Sequence, residues 1–244
     1  MINLDRLDFF SGTLESLNGS LKDGINPKSF HFVAVSTLVA SDLDQYTLEE
    51  MILGETVCDS RYISLFSGLF GEKVKQIRGT DFLKYTLDHS QPSVRHLFLG
   101  TTQQTLKLLK SEIETRYPNV NGARFQSLPF SNFENLEQFS ELDAFLSPKD
   151  YDLVWVALGS PKQDRVAIYI SKKFGVNAIA VGAAIEFLSG AKKEAPGIVR
   201  LIGAEWLFRL FTEPRRLWRR YALGNTIFIL YVIRAICTKC IRRR

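Results

Sequence analysis

Cysteine, histidine and long apolar runs are all scarce in this sequence, and each scarcity argues against a class of protein. Three cysteines in 244 residues are too few for a disulfide framework, which predicts a reducing compartment. The three histidines show no metal-ligand spacing, and Cys237 and Cys240 lack the second cysteine pair that a structural zinc site needs. The first ten residues contain charges and no apolar core, so we expect no secretory signal.

Charge is unevenly distributed along the chain. Residues 199–244 contain 11 lysines and arginines against two glutamates, whereas the other 198 residues contain 20 basic and 24 acidic side chains. The apolar and charged content is that of a globular protein, and a concentrated basic end is suited to the phosphates of lipids or nucleic acids. We therefore expect one globular domain over residues 1–195 and a basic appendage over residues 196–244.

Apolar runs alternate with segments of helical spacing throughout the first part of the chain. Buried strands are predicted at residues 31–36, 94–100, 123–125, 152–159 and 177–181. Helices are predicted at residues 105–117, 132–145 and 160–174. This alternation is typical of an α/β fold, a Rossmann-like parallel sheet with helices on both faces. Ligands of such sheets bind at the carboxyl ends of the strands.

The appendage interleaves aromatic and aliphatic residues with arginines. Pro214 is expected to divide residues 203–221 into two helices. Asn225 and Arg234 interrupt its apolar run, which predicts a segment shorter than the ~20 residues that cross a bilayer. We expect basic amphipathic helices that lie on an anionic membrane surface. A solvated basic face is the alternative. No nucleic-acid partner is expected, because no nucleic-acid-binding signature is present.

Several motifs in a fixed order give the chain a resemblance to a known family. They read RGTDF at residues 78–82, LGSPKQD at 158–164, VGAAIEFLSG at 181–190 and GAEWLFRLFTEPRRLWRRY at 203–221. In order and spacing they are similar to the WecG/TagA/CpsF glycosyltransferases, and the resemblance covers about residues 30–235.

This resemblance implies an inverting transfer of an N-acetylhexosamine-type sugar, commonly N-acetylmannosamine or its uronic acid, from a UDP donor. The implied acceptor is a polyprenyl-diphosphate-linked sugar used in cell-surface polysaccharide synthesis. The enzyme would be peripheral, at the cytoplasmic face of the bacterial inner membrane. No cofactor and no catalytic metal are expected, and an oligomer is compatible with the sequence.

The candidate catalytic residues are Asp59, Thr37 and Arg78. Asp59 follows an apolar strand and would be the general base, unless it caps a helix that starts near residue 61. Thr37, or its neighbour Ser36, is expected at the end of the first strand near the reacting groups. The guanidinium of Arg78 suits a diphosphate.

The candidate substrate-binding residues lie after the strands or in the appendage. They are Gly100, Thr101, Ser160, Lys162, Gln163, Glu186 and Arg215. The backbone N–H groups at the start of the helix after Ser160 favour negative charge. Ser160 alternatively caps that helix, and Glu186 alternatively pairs with a lysine such as Lys192.

The sequence departs from the family pattern at two positions beside the candidate catalytic residues. Ser60 stands where the family has glycine, and Leu38 stands where it has asparagine. These departures keep a second hypothesis open, a non-catalytic nucleotide-sugar-binding protein that acts as an assembly partner at the membrane surface.

Overall fold

Six strands form one parallel sheet in the order β2-β1-β6-β5-β3-β4. The strands are β1 (Ser29–Val33), β2 (Glu55–Cys58), β3 (His96–Gly100), β4 (Arg124–Gln126), β5 (Leu153–Ala157) and β6 (Asn177–Ala180). The computed structural model describes residues 8–21, 27–43, 45–69, 73–128, 140–143, 146 and 150–242. The parallel sheet confirms the predicted α/β fold class.

Helices cover both faces of the sheet. One face carries α1 (Leu14–Ser20), α5 (Gly79–Asp88), α6 (Gln103–Arg116) and α9 (Ala184–Leu188). The other carries α2 (Val35–Leu43), α3 (Gln45–Ile52), α4 (Arg61–Phe66), α7 (Ser140–Asp143) and α8 (Lys162–Phe174), with a 3-10 turn at Ser67–Leu69. The appendage forms α10 (Gly197–Leu201), α11 (Glu205–Thr212) and α12 (Pro214–Arg242).

The alternation of side chains along each strand builds the two halves of the core. Phe32 and Trp155 point to the face that carries α5, whereas Val33 and Val156 point to the face that carries α8. All four side chains are buried. A strand that is buried on both faces reads as a continuous apolar run, which is the pattern that predicted these strands.

Most predicted boundaries differ from the structure by one or two residues, and two elements need separate comment. The first strand ends at Val33 and α2 begins at Val35, so the prediction of a strand through residue 36 was wrong. Of the helix predicted at residues 132–145, the structure describes Ser140–Asp143 as helical, and the rest lies outside the described residues.

The appendage packs on the sheet domain through its last helix. Phe228 and Val232 of α12 are buried against Leu38 and Val39 of α2, in the same cluster as Val33. The helix boundary before Pro214 is confirmed. The division of the chain at residue 195 stays a prediction.

The apolar run was expected to be too short to cross a bilayer. This expectation was wrong, because the length and composition of α12 are sufficient for a span. Within the stretch of α12 from Pro214 to Thr238, an 18-residue window has a mean hydropathy of 1.5, so the helix is long and apolar enough for a membrane span by length and composition. One helix of this kind is weak evidence for a span, because buried helices of soluble proteins share these properties.

Trp155, at the centre of the core, is held by a buried histidine. Its indole Nε1 donates to His96 Nδ1 at 3.1 Å, and His96 Nε2 lies 2.8 Å from Ser90 Oγ. Burial lowers the pKa of His96 to about 4. The neutral imidazole is therefore part of the folded state, and the unfolded chain binds the proton more readily.

We expect His96 to make stability depend on pH. The stabilisation of the folded state by neutral His96 is complete above the pKa of this histidine in the unfolded chain, near 6.5, and is lost as the pH falls towards 4. Between pH 7 and pH 4 the wild-type protein should lose about 3 kcal/mol more unfolding free energy than His96→Gln, whose amide can keep both hydrogen bonds. Urea unfolding across this pH range measures the difference, and equal losses in the two proteins would contradict the assignment.

Candidate active site

A cavity of about 320 Å³ opens at the carboxyl ends of the strands. The segments after β1, β2, β3, β5 and β6 form its floor and sides, and residues of α11 and α12 form its remaining wall. The appendage thus completes a cavity that the sheet begins. Among the predicted site residues, those that line it are Thr37, Asp59, Thr101, Ser160, Lys162, Gln163 and Glu186.

Asp59 lies directly after β2 and is fixed by backbone contacts. Its N–H donates to the Val33 carbonyl at 3.0 Å, and its Oδ1 accepts the Gly79 N–H at 2.9 Å. The cap of α4 is Ser60, whose Oγ accepts the Ile63 N–H. The alternative in which Asp59 caps that helix was therefore wrong, and the departure at Ser60 has a structural role.

The surroundings of Asp59 favour its protonated form. Burial raises the pKa of Asp59 to about 7, and the Glu205 carboxylate of α11 contributes to the rise. The Gly79 N–H and the positive charges of Arg78 and Arg209 oppose it. A carboxylate with a pKa near neutrality is suited to accept a proton from a substrate hydroxyl.

Thr37 lies in the first turn of α2 and not at a strand end, because the helix begins at Val35. It is buried and lines the cavity, and Ser36 also lines it. Both hydroxyl-bearing residues therefore stay candidates for the same role. Leu38, the second departure from the family pattern, is buried under α12.

The turn after β3 is tightly constrained. Gly100 has φ +99, and a Cβ there would lie 2.5 Å from the Ala157 carbonyl oxygen, so no side chain fits. Thr101 follows with φ 57, a left-handed conformation that is uncommon for a threonine. Gly100 is buried at the strand end behind the cavity, whereas Thr101 lines it.

The G-S-P-K-Q run forms the loop from β5 into α8, and the Ser160–Pro161 peptide bond is cis. Gln163 turns inward, with its Oε1 accepting the Gly159 N–H at 3.1 Å and its Nε2 3.5 Å from the Ala180 carbonyl. The cap position of α8 is Pro161, so the alternative in which Ser160 caps the helix was wrong. Ser160 Oγ instead donates to the Asp164 carboxylate.

Glu186 lines the cavity and also pairs with Lys192 at 2.8 Å, as the structural alternative predicted. Lys192 in turn contacts Glu213 at 3.1 Å, just before α12 begins. This chain of charges joins the cavity wall to the appendage.

Arg78 does not line the cavity. Its guanidinium contacts Glu194 at 2.6 Å, Glu205 at 3.1 Å and Asp81 at 3.1 Å. Burial alone would lower the pKa of Arg78, but the carboxylates of Glu205 and Glu194 outweigh it and raise the pKa. The expectation of an arginine that faces a diphosphate is thus not met in this structure, where Arg78 ties α5 to the appendage. Asp81 lies in the first turn of α5 and does not cap it.

Three arginines of the appendage face the cavity instead. Arg209 stacks on Phe187 at 5.6 Å, and Arg216 pairs with Glu213. Burial lowers the pKa of Arg220, and the charges of Arg209 and Arg216 lower it further. These three residues, the arginine cluster, form a positive wall suited to an anion.

The predicted Arg215 is exposed and lies outside the cavity lining. The signal that separates it from the cluster is helical spacing. Arg216 and Arg220 are four residues apart and alternate with Leu217 and Tyr221, which are buried. Residue type alone does not reveal this register.

Sequence reasoning also missed a buried polar pair below the cavity. His31 of β1 and Asp164 of α8 are fully buried, and His31 Nδ1 lies 3.0 Å from Asp164 Oδ1. Their positions are 133 residues apart. Within the part of the chain that the structure describes, no three His, Cys, Asp or Glu side chains are grouped as a metal site.

Comparison with known proteins gives the chain its family. The model of the "Glycosyl transferase WecG/TagA/CpsF family" matches residues 2–241. Curated relatives from Staphylococcus aureus strains NCTC 8325 and COL are 25% identical over 146 residues, and both are named N-acetylglucosaminyldiphosphoundecaprenol N-acetyl-beta-D-mannosaminyltransferase. The match covers 59% of this chain and 55% of each relative, so it spans about half their length. The chain belongs to the WecG/TagA/CpsF family of glycosyltransferases.

Proposed function

We propose that this protein transfers an N-acetylmannosamine-like sugar, with inversion, from a UDP donor to a polyprenyl-diphosphate-linked sugar. The observation that carries the proposal is one cavity that holds both a carboxylate with a raised pKa and the arginine cluster. Glycosyl transfer from a nucleotide donor needs these two elements, a base for the acceptor and positive charge for the leaving group. The names of the relatives support the choice of sugar and acceptor.

In the proposed reaction Asp59 takes the proton of the acceptor hydroxyl. The hydroxyl oxygen then forms a bond to the anomeric carbon of the donor, and the bond between that carbon and the UDP oxygen breaks. Asp59 stays protonated until it releases its proton to water. Attack from the face opposite the leaving group inverts the anomeric centre.

The leaving diphosphate gains negative charge as the bond breaks. We propose that Arg209, Arg216 and Arg220 stabilise it, together with Lys162 and the first turn of α8. Positive side chains that are fixed in place can do this without a metal, and we propose a metal-independent reaction. Arg78 acts as a positioning residue, since its neighbour Gly79 holds the Asp59 carboxylate.

We propose that the protein works as a peripheral protein at the cytoplasmic face of the membrane, where its acceptor lies. Large apolar side chains of the appendage are exposed, among them Ile198, Phe211 and Trp218, at 78%, 77% and 52%. Arginines such as Arg215 and Arg219 lie beside them. An apolar surface mixed with cations and tryptophan fits the interface of an anionic bilayer.

A transfer assay tests the proposed function and separates it from the non-catalytic alternative. UDP-N-acetylmannosamine and a short-chain prenyl-diphosphate-N-acetylglucosamine are incubated with the full-length protein, and UDP release is compared with acceptor elongation. We expect one UDP to be released for each sugar transferred, and a β-linked product. Tight UDP binding without elongation would favour the assembly-partner hypothesis.

Asp59→Asn should lower kcat/KM at least about 100-fold, because the base is lost while the donor contacts remain. The Kd for UDP should change less than about threefold. Asp88→Asn, which changes an exposed carboxylate of α5, is the control for Asp59→Asn. Wild-type turnover in Asp59→Asn would exclude Asp59 as the base.

The reaction should also depend on pH. In the wild-type protein kcat/KM should fall about tenfold for each pH unit below 7, since only ionised Asp59 accepts a proton.

The arginine cluster should determine the affinity for the diphosphate. We expect Arg216→Ala and Arg220→Ala each to raise the Kd for UDP about 10- to 100-fold, the effect of a lost charge-assisted hydrogen bond. Arg219→Ala, on the exposed side of the same helix, should stay within about twofold. Isothermal titration calorimetry measures all three, and equal losses would show a general charge effect.

Membrane binding should depend on the exposed apolar face. Ile198→Glu combined with Phe211→Glu should lower the partition coefficient for phosphatidylglycerol-containing vesicles at least about tenfold, because two large side chains can no longer enter the interface. Leu53→Glu, which changes an equally exposed leucine of the sheet domain, is the matched control. Co-sedimentation measures binding, and an equal loss in the control would contradict the assignment of this face.

A further inference from the structure

A chain of hydrogen bonds runs from the cavity into the buried sheet. Ser160, at the cavity, donates its Oγ proton to Asp164 Oδ2. The other carboxylate oxygen, Asp164 Oδ1, lies 3.0 Å from His31 Nδ1, and His31 Nε2 lies 2.9 Å from Ser29 Oγ. Asp164 and His31 have no exposed surface, so water does not compete for these contacts.

The direction of these hydrogen bonds determines whether the Ser160 hydroxyl can donate a hydrogen bond to a ligand or accept one from it. A hydroxyl has one proton and two lone pairs. The proton of Ser160 is committed to Asp164, whose second oxygen is occupied by the imidazole. The hydroxyl therefore faces the cavity as an acceptor. A phosphate oxygen, which is also an acceptor, gains nothing from it.

Gln163, a second polar side chain close to Ser160, also makes its hydrogen bonds within the protein. The Gln163 amide is used by the Gly159 N–H and the Ala180 carbonyl. Its amide oxygen also lies 3.1 Å from where a Cβ of Gly182 would be, so the loop after β6 packs on it. The positive side chains that suit a diphosphate come from α12 and from Lys162.

We infer that Ser160 determines specificity by accepting a hydrogen bond from an O–H or N–H group of the nucleotide sugar, and that Asp164 and His31 are positioning residues that hold it in this state. The inference rests on the proposed function and deepens it. Such a donor group can belong to the sugar, as a hydroxyl or the acetamido N–H, or to the nucleoside, as the uracil imide or a ribose hydroxyl.

Asp164→Asn provides the sharpest test because it reverses the polarity of Ser160 with almost no change in shape. With the amide oxygen facing His31 Nδ1, the amide NH₂ faces Ser160 and donates to it. The Ser160 proton is then free to point into the cavity. We expect the Kd for the UDP-sugar to rise about 3- to 10-fold and the Kd for inorganic pyrophosphate to stay equal or fall.

Ser160→Ala and Ser160→Thr keep the test valid if Asp164→Asn does not fold, and thermal melting checks each full-length variant. Ser160→Ala should raise the Kd for the UDP-sugar about 3- to 10-fold without weakening pyrophosphate, and Ser160→Thr, which keeps the hydroxyl, should restore binding. The probes are pyrophosphate, UDP and UDP-N-acetylmannosamine. Weakening of the UDP-sugar alone assigns the donor group to the sugar, and equal weakening of UDP assigns it to the nucleoside.

Two results would overturn the inference while leaving the proposed function intact. One is a loss of pyrophosphate affinity in Ser160→Ala as large as the loss for the UDP-sugar, which would make Ser160 a phosphate contact. The other is wild-type affinity for every probe in Ser160→Ala. If the wild-type protein binds neither UDP nor the UDP-sugar, the proposed function fails and the inference fails with it.

Discussion

The parallel pairing of β1, β5 and β6 is the constraint on which the candidate site depends. Parallel strands end at the same edge of a sheet, so segments that are far apart in sequence converge there. Asp59 is fixed to this edge by the Val33 carbonyl, and Ser160 is fixed to it through Asp164 and His31 of β1. A shift in strand register would move both candidate residues away from the cavity.

The appendage contributes charge of both signs, and the two signs have different places. Its glutamate Glu205, with Glu194 just before it, engages Arg78 outside the cavity. Its arginines Arg209, Arg216 and Arg220 line the cavity itself. This arrangement supports the proposal that the basic end of the chain contacts both a membrane surface and an anionic substrate. It also links the pKa of Asp59 to the position of α11, because Glu205 is part of the environment of both Asp59 and Arg78.

Local sequence patterns predicted the features that depend on local physics. Apolar runs identified the strands, and three of the four quoted motifs contain residues that line the cavity, the exception being RGTDF. The patterns did not predict ion pairs and hydrogen bonds between residues that are far apart in the sequence. Arg78 was expected to face a diphosphate, but its carboxylate partners Glu194 and Glu205 are 116 and 127 residues away. The His31–Asp164 pair, 133 residues apart, was missed for the same reason.

The sequence also did not reveal which side of α12 faces the cavity. Arg215 was expected at the substrate, whereas its neighbour Arg216 lines the cavity. Adjacent helix positions point about 100° apart, and only the burial of Leu217 and Tyr221 selects between them. Arg215 and Arg216 are the same type of residue, so the sequence composition does not distinguish between them.

We propose that one cavity, built jointly by the sheet and the appendage, binds the nucleotide-sugar donor. A crystal structure of the full-length protein with UDP tests it most directly. We expect diphosphate density among Arg209, Arg216 and Arg220, beside the start of α8 and within reach of the Asp59 side of the cavity. UDP bound away from the carboxyl edge of the sheet, or at that edge without contact to the appendage arginines, would contradict it.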